Sequence, residues 1–200
     1  MILIGYSGHA YVAYGILIAS GKQVIGYCDV MEKDYNPFKL VYYGPENSAA
    51  ALEALKQNGY FIAVGDNGLR KKIYDNLQQQ LLPINAIHPS AVIDISATIA
   101  LQAVMIAAHV SINPLATIGT GAICNTGCII EHECIVGAFT HIGPGAVLCG
   151  NVKIGDGTFV GANAVIKQGI TVGKNATIGA GAVVVKNVPD NITVVGVPAR

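Results

Sequence analysis

From Ile118 to Val184 an inward-type residue returns at every sixth position: Ile118, Ile130, Val136, Ile142, Leu148, Ile154, Val160, Ile166, Val172, Ile178 and Val184, with Cys124 the one change of type. Two positions earlier stands a small or β-branched residue, as at Ala116, Ala122, Cys128, Cys134, Thr140, Ala146, Thr158, Ala164 and Ala182. Gly often follows the aliphatic, as at Gly119, Gly137, Gly143, Gly155, Gly161, Gly173 and Gly179. A period of six fits neither a helix nor a simple alternating strand. It predicts short strands coiled into a parallel β-helix, each aliphatic stacking inside on its copy in the next coil. The small residue fits the corner, and Gly is expected to relieve the backbone at the turn. The pattern begins at Val92–Ile93; Ile93 and Ile99 are in step, while Ile106, Ile112 and Ile118 sit one residue late, which predicts a one-residue bulge within Ala100–Met105. It stops at Asn187-Val188-Pro189-Asp190, leaving Val194–Arg200 as an extended cap.

The first 83 residues alternate differently. Met1–Gly5, Gln23–Asp29 and Tyr60–Val64 read as buried strands. Ala10–Ser20, Pro45–Asn58 and Leu69–Gln80 read as helices, with Gly59 a C-cap and Met31–Phe38 a loop. Strand–helix alternation predicts a parallel sheet, a small Rossmann-like α/β half domain over residues 1–83. Pro83–Pro89 is the crossing into the β-helix domain, residues 84–200.

Lys plus Arg and Asp plus Glu each number 12, with no basic run, so an electrostatic nucleic-acid partner is not expected. No apolar run is long enough to span a bilayer, and Met1-Ile2-Leu3-Ile4-Gly5 lacks the basic start of a signal peptide, so a cytoplasmic protein is expected. An apolar solenoid poor in charge points to an oligomer. The five cysteines form no CxxC pair; Cys124, Cys128 and Cys134 fall on core positions, so neither a disulfide framework nor a metal site is expected.

Two stretches carry candidate chemistry. Gly5-Tyr6-Ser7-Gly8-His9 joins a strand to a helix, where small residues let backbone N–H groups approach a phosphate. Asp29, ending the second strand, is placed to accept from a ribose or sugar hydroxyl, and Gly65-Asp66-Asn67-Gly68 ends the third strand at the same sheet edge. Arg70 follows, either to meet a phosphate or as a solvated helix residue, and His9 either touches the ligand or merely starts the helix. With three strands and no third loop Gly, a nucleotide or nucleotide-sugar fits better than a dinucleotide. The second stretch is Ile130-Glu131-His132-Glu133-Cys134, in which Ile130 and Cys134 point inward and His132 lies outside between two carboxylates. Histidine takes a proton near neutral pH, and either Glu131 or Glu133 could orient its ring. His141 precedes Ile142, also outside; His88 reads as structural, and His109 is given no role.

Together with Ile62-Ala63-Val64-Gly65-Asp66-Asn67, Arg70-Lys71-Lys72-Ile73-Tyr74 and Asn125-Thr126, these motifs resemble the sugar O-acyltransferases of the sialic-acid O-acetyltransferase type, nearest the UDP-N-acetylbacillosamine N-acetyltransferase branch. The resemblance covers essentially the whole chain. It implies a left-handed parallel β-helix with three hexads per coil, and a homotrimer with active sites between subunits. It further implies acetyl-CoA as co-substrate, and a UDP-linked 4-amino sugar of bacterial glycan biosynthesis held by the N-terminal domain. His132 matches the general base, Glu133 the residue that strengthens it, and His141 a residue near the thioester; Gly143, Ala162 and Ala180 fall where the pantetheine arm passes. Ser7, Gly8, His9, Asp29 and Asp66 fall on nucleotide-sugar contacts. Asp29-Val30 replaces two consecutive acids of that branch, and Asp66 replaces an Asn, both in the nucleotide-sugar pocket. The alternatives are acetylation of a hydroxyl, as on sialic acid, a metal-dependent lyase of the gamma carbonic anhydrase sort drawing on His109, His132 and His141, and a non-catalytic scaffold.

Overall fold

The computed structural model describes residues 1–200. The N-terminal half is β1 (Ile2–Ile4), α1 (Gly8–Ala19), β2 (Gly26–Cys28), β3 (Val41–Tyr42), α2 (Ala49–Asn58), β4 (Tyr60–Ile62) and α3 (Asn67–Leu77). Its sheet is parallel, in the order β3-β2-β1-β4. β1, β2 and β4 are buried throughout, as a parallel sheet covered by helices requires. Ser48 caps α2 by accepting from the Ala51 N–H, and Asp66 caps α3 by accepting from the Leu69 N–H. The edge strand β3 was not expected: two partly exposed residues are too short a run to carry a strand period.

The second half is a left-handed parallel β-helix of two-residue strands, running from Ala86–Ile87 to Thr193–Val194, whose strands fall into three sheets. The first sheet turns Ile106, Cys124, Ile142, Val160 and Ile178 inward, the second Ile112, Ile130, Leu148, Ile166 and Val184, the third Ile118, Val136, Ile154 and Val172. Three hexads thus make one coil. The bulge is present: Thr98–Ile99 and Met105–Ile106 are one residue further apart than the repeat allows, and Ala103 takes a φ of +60°. Stacking the inward aliphatics of successive eighteen-residue coils supplies the stability here, at about 25 cal/mol for each Å² of apolar surface removed from water.

Two expectations need correction. The solenoid does not stop at Val184: Val188 bridges to Val172, and Thr193–Val194 pairs with Thr177–Ile178, so one more coil closes with irregular spacing. The Gly residues that follow the aliphatics are also not the turn residues. The left-handed φ falls two positions later, at Gly121, Gly127, Glu133, Phe139, Gly145, Asn151, Gly157 and Asn163. The earlier Gly is needed because coils approach there; a Cβ on Gly161 would lie 2.5 Å from the backbone N of Ala180.

The two halves share one core. Leu3, Tyr6, Ala10, Ala13, Ile16 and Leu17 pack continuously with Ala86, Val104 and Met105. No helix is long and apolar enough to cross a membrane.

Candidate active site

Three corners join the three sheets, and the candidate residues divide among them. At the third-to-first corner the N-terminal half is bolted on by Arg70. Its guanidinium donates to the carbonyls of Gly121 (2.8 Å), Val64 (3.0 Å), Gly65 (3.0 Å), Phe139 (3.2 Å) and Thr140 (3.0 Å) and to Asn67 Oδ1 (2.7 Å). Asn67 adds donations to the Gly157 and Thr158 carbonyls. Arg70 has no exposed surface, and burial lowers its pKa to about 10, so it stays charged at neutral pH. This corrects the sequence reading: the side chain is neither solvated nor free to meet a phosphate.

His141 lies on the first sheet beside this junction and is 9 % exposed. Its Nδ1 is 3.3 Å from the Gly65 carbonyl and its Nε2 3.1 Å from Asn125 Nδ2. A carbonyl only accepts, so Nδ1 carries the hydrogen and Nε2 accepts from the amide. Burial, then the Arg70 charge, lower its pKa to about 4 against the opposing Gly65 bond. His9 stands with ring centroid 5.8 Å from that of His141, packed on Gly65. Burial, then repulsion by His141 and Arg70, lower it also to about 4, and its Nε2 is buried without a partner. His9 lines neither of the cavities at the sheet edge within one chain.

These two rings predict acid lability. Unfolded, each protonates near pH 6.5; folded, each stays neutral down to about pH 4. Between those values the unfolded chain binds more protons, so the stability present above pH 6.5 is lost as pH falls toward 4, by on the order of 2–3 kcal/mol per ring. Thermal melts from pH 7.5 to 4.5 should show Tm falling through this window, and the His9→Gln/His141→Gln double variant should flatten the profile.

At the carboxyl edge of the sheet a cavity of about 360 Å³ is lined by Gly5, Tyr6, Ser7, Asp29, Glu46 and Asp66 among others. It forms because Gly5 adopts φ +86° with Val64 Cγ2 2.7 Å from where a Cβ would stand, which lets the loop turn sharply off β1. Asp29 accepts from the Tyr6 N–H at 3.0 Å and pairs with Lys33 at 3.1 Å. Ser7 precedes α1 without using its hydroxyl as a cap, and Gly8 has open space beyond it, so the first N–H groups of α1 face a neighbouring cavity also lined by Tyr11, Lys33 and Tyr35. Ser7, Asp29 and Asp66 are thus brought together as expected. Lys33 and Glu46 were missed, since nothing in their local sequence marks them.

His132 and Glu133 occupy the second-to-third corner. His132 Nδ1 is 3.1 Å from Glu133 Oε2, and both side chains are about half exposed. The ring lies over Gly150 of the next coil, where a Cβ would come within 2.5 Å of it. Glu133 sits at φ +60°, the left-handed turn position that Leu115, Asn151 and Gly169 take in the other coils. A Glu there costs about 1–2 kcal/mol, as Leu115 and Phe139 do at their turns, so the φ alone marks no working site; the contact to His132 is what sets Glu133 apart. Glu131 has no such contact. The first-to-second corner carries Gly143, Ala162 and Ala180; Ala162 and Ala180 stack on successive coils, joined by the Gly181 N–H donating to the Ala162 carbonyl. Within one chain, therefore, His132 faces neither the ligand cavity nor the Gly143–Ala180 corner. Within one chain no group of three His, Cys, Asp or Glu side chains is placed to hold a metal ion.

Comparison with known families and structures adds the following. Residues 1–77 match the PglD N-terminal domain, residues 133–168 the bacterial transferase hexapeptide (six repeats), and residues 151–186 the hexapeptide repeat of succinyl-transferase. A search of curated protein sequences found no match. The whole chain superposes on 95% of PerB from Caulobacter crescentus, solved with CoA and GDP-perosamine, at 37% identity and TM-score 0.91. A point variant of perosamine N-acetyltransferase from the same organism, in complex with the same two ligands, gives 36% identity and TM-score 0.92 over 94% of its chain. The acetyltransferase domain of PglB from Neisseria gonorrhoeae, in complex with acetyl coenzyme A, matches the whole chain over 97% of its own at 33% identity and TM-score 0.91. A chain that aligns end to end with these proteins in both halves belongs to the left-handed β-helix family of hexapeptide-repeat sugar N-acetyltransferases.

Proposed function

We propose that this protein transfers the acetyl group of acetyl-CoA to the 4-amino group of a nucleotide-linked amino sugar in bacterial glycan biosynthesis, with His132 as general base. The observation that carries the reading is the His132–Glu133 pair on an outer corner of the β-helix. Glu133 accepts from Nδ1–H, which leaves Nε2 as the free base and opposes the positive charge that a captured proton brings. As the C–N bond forms and the C–S bond breaks, the ring takes the amine proton and returns it to the departing sulfur. Residues 1–83 hold the nucleotide-sugar, with the phosphates at the start of α1 beside Ser7 and Gly8, and Asp29 and Asp66 in the cavity. Residues 84–200 hold the coenzyme, with His141, Gly143, Ala162 and Ala180 along its path; the small side chains of the last three leave a shelf at the first-to-second corner. Acetyl-CoA is bound in the related PglB domain, and CoA with GDP-perosamine in PerB. The resemblance favoured uridine for the nucleotide; the solved PerB complex holds a guanosine sugar. Reaction and chain are assigned to the cytoplasm.

The site is shared between copies in a homotrimer. The outward row of the second sheet, Val92, Ser111, Ile129, Val147, Val165 and Val183, is aliphatic but for Ser111, whereas the third presents Thr98, Thr117, Ile135, Lys153 and Thr171, polar but for Ile135. An aliphatic sheet face lying between His132 and the Gly143–Ala180 corner is the surface that a second copy covers.

The test is an acetyl-transfer assay on GDP-linked and UDP-linked 4-amino sugars and on sialic acid, followed by mass. A gain of one acetyl on a 4-amino sugar is expected; acetylation of sialic acid alone would overturn the reading. Sharing is tested by co-assembling two inactive chains, His132→Ala and Gly8→Asp, the latter placing a charge where phosphates would bind and where a side chain meets nothing within 4 Å. In random co-assemblies about a quarter of the shared sites combine an intact His132 with an intact Gly8, so roughly that share of activity should return. No recovery would mean that each protomer carries a whole site.

A further inference from the structure

The cavity at the sheet edge has three carboxylates on its wall, Asp29, Glu46 and Asp66. Both Asp29 oxygens have protein partners: Oδ2 accepts from the Tyr6 N–H and has room for one further donor, and Oδ1 accepts from the Val30 N–H at 2.8 Å and from Lys33. Asp66 gives one oxygen to the Leu69 N–H at 2.7 Å. Glu46 is half-buried, and neither of its oxygens has a hydrogen-bond or ion-pair partner. The cavity is also lined by Val30 and Lys33 beside Asp29, and by Ile4, Val64, Leu69 and Ile73 on the side of β1, β4 and α3.

Position along the sheet gives the order of the ligand's parts. The phosphate loop Gly5–Gly8 follows β1, Asp29 follows β2, and Glu46 follows β3, in a sheet where β1, β2 and β3 are successive neighbours. A nucleotide laid with its phosphates on the loop and its ribose at Asp29 brings its base to Glu46. We propose that Glu46 reads the base and that the base is guanine, so the acceptor is a GDP-linked amino sugar; this rests on the nucleotide-sugar reading above.

The chemistry is a matching of donors to acceptors. A carboxylate only accepts. The Watson–Crick edge of guanine sets two donors side by side, N1–H and an N2–H, one for each oxygen. Uracil presents N3–H between two carbonyl oxygens, which a carboxylate oxygen repels. Cytosine and adenine each offer one amino donor beside a ring-nitrogen acceptor. Only guanine satisfies both oxygens, and a mismatched edge would leave a partly buried carboxylate oxygen unpaired.

The experiment is calorimetric titration of the full-length protein with GDP and with UDP, in wild type and in Glu46→Gln. Wild type should bind GDP about 10–100-fold more tightly than UDP, the discrimination expected of one bidentate contact. The Gln amide presents one donor and one acceptor, which fit uracil's O4 and N3–H, so Glu46→Gln should weaken GDP and strengthen UDP. Equal or tighter binding of UDP by wild type overturns the proposal. So does an equal loss for both nucleotides in the variant, which would put Glu46 on the ribose or in the fold. Unchanged acetyl-CoA binding by the variant shows that it is folded. Failure of both nucleotides to bind wild type removes the nucleotide-sugar reading together with the proposal. The expected base preference without acetylation of either sugar would leave the base assignment standing and overturn the assigned reaction.

Discussion

Replacing His132 with Ala is expected to lower kcat/KM by about 10²–10⁴-fold, the range for loss of a positioned general base. Binding of CoA and of nucleotide-sugar should stay within a few-fold, because the ring reaches only the reacting proton. Steady-state kinetics with separate titrations of each ligand measure both. The neighbour gives a sharper test. Glu133→Gln keeps an acceptor for Nδ1–H but removes the charge, so a loss of about 10-fold in kcat is expected with little change in KM. Glu133→Gly should act in opposite directions on stability and rate. It relieves the φ of +60° and so raises stability by about 1 kcal/mol, while removing the carboxylate that sits 3.1 Å from the ring. A purely structural Glu133 would lose stability and keep activity. Stability gained as activity falls would separate the carboxylate's part in catalysis from its place in the turn.

The solenoid was legible because its information is periodic. Counting sixes located the strands, the inward residues and the inserted residue before Met105 without any tertiary knowledge. The same counting contained the two-copy argument. His132 follows Ile130 and Gly143 follows Ile142, two hexads later, so with three hexads to a coil they belong to different corners. The aliphatic row Ile129, Val147, Val165 and Val183 recurs at eighteen residues, but reading it requires knowing which sheet each hexad joins. What failed was non-periodic. The final coil closes through Val188 and Val194, off the repeat and held by backbone pairing that local sequence does not announce. The Gly positions were recognised but given the wrong reason, because close approach of coils and a left-handed φ leave the same residue in the sequence. In the N-terminal half the loop Gly5–Gly8 and Asp29 were legible from position alone. Glu46 was not, since its distinction is having no partner, a property only of the folded chain.

Arg70 is the clearest case of a residue whose role depends on distant partners, and its loss carries the largest expected stability effect. Its acceptors at Gly121, Phe139 and Thr140 lie 51, 69 and 70 residues away. The carbonyls of Val64, Gly121 and Phe139 have no other hydrogen-bond donor. Arg70→Met would fill much of the volume but leave these three oxygens buried and unpaired, at about 1–3 kcal/mol each before relaxation. A net loss of about 3–5 kcal/mol is expected, or roughly 10–15 °C in Tm for a chain of this size. Arg70→Lys should recover less than half, because one ammonium with three donors cannot span six acceptors arranged around a planar fork. The functional consequence should be one-sided. Gly65 and Asp66, held through Arg70 and His141, form one wall of the nucleotide cavity, so nucleotide affinity should fall in step with stability. Acetyl-CoA affinity, set by the solenoid, should remain. Differential scanning calorimetry with parallel ligand titrations separates the two readings of this residue. Stability held within 1 kcal/mol, with nucleotide binding lost, would mean that the guanidinium meets the ligand's phosphates. A large fall in Tm with coenzyme binding intact is the result that a bolt between two halves requires.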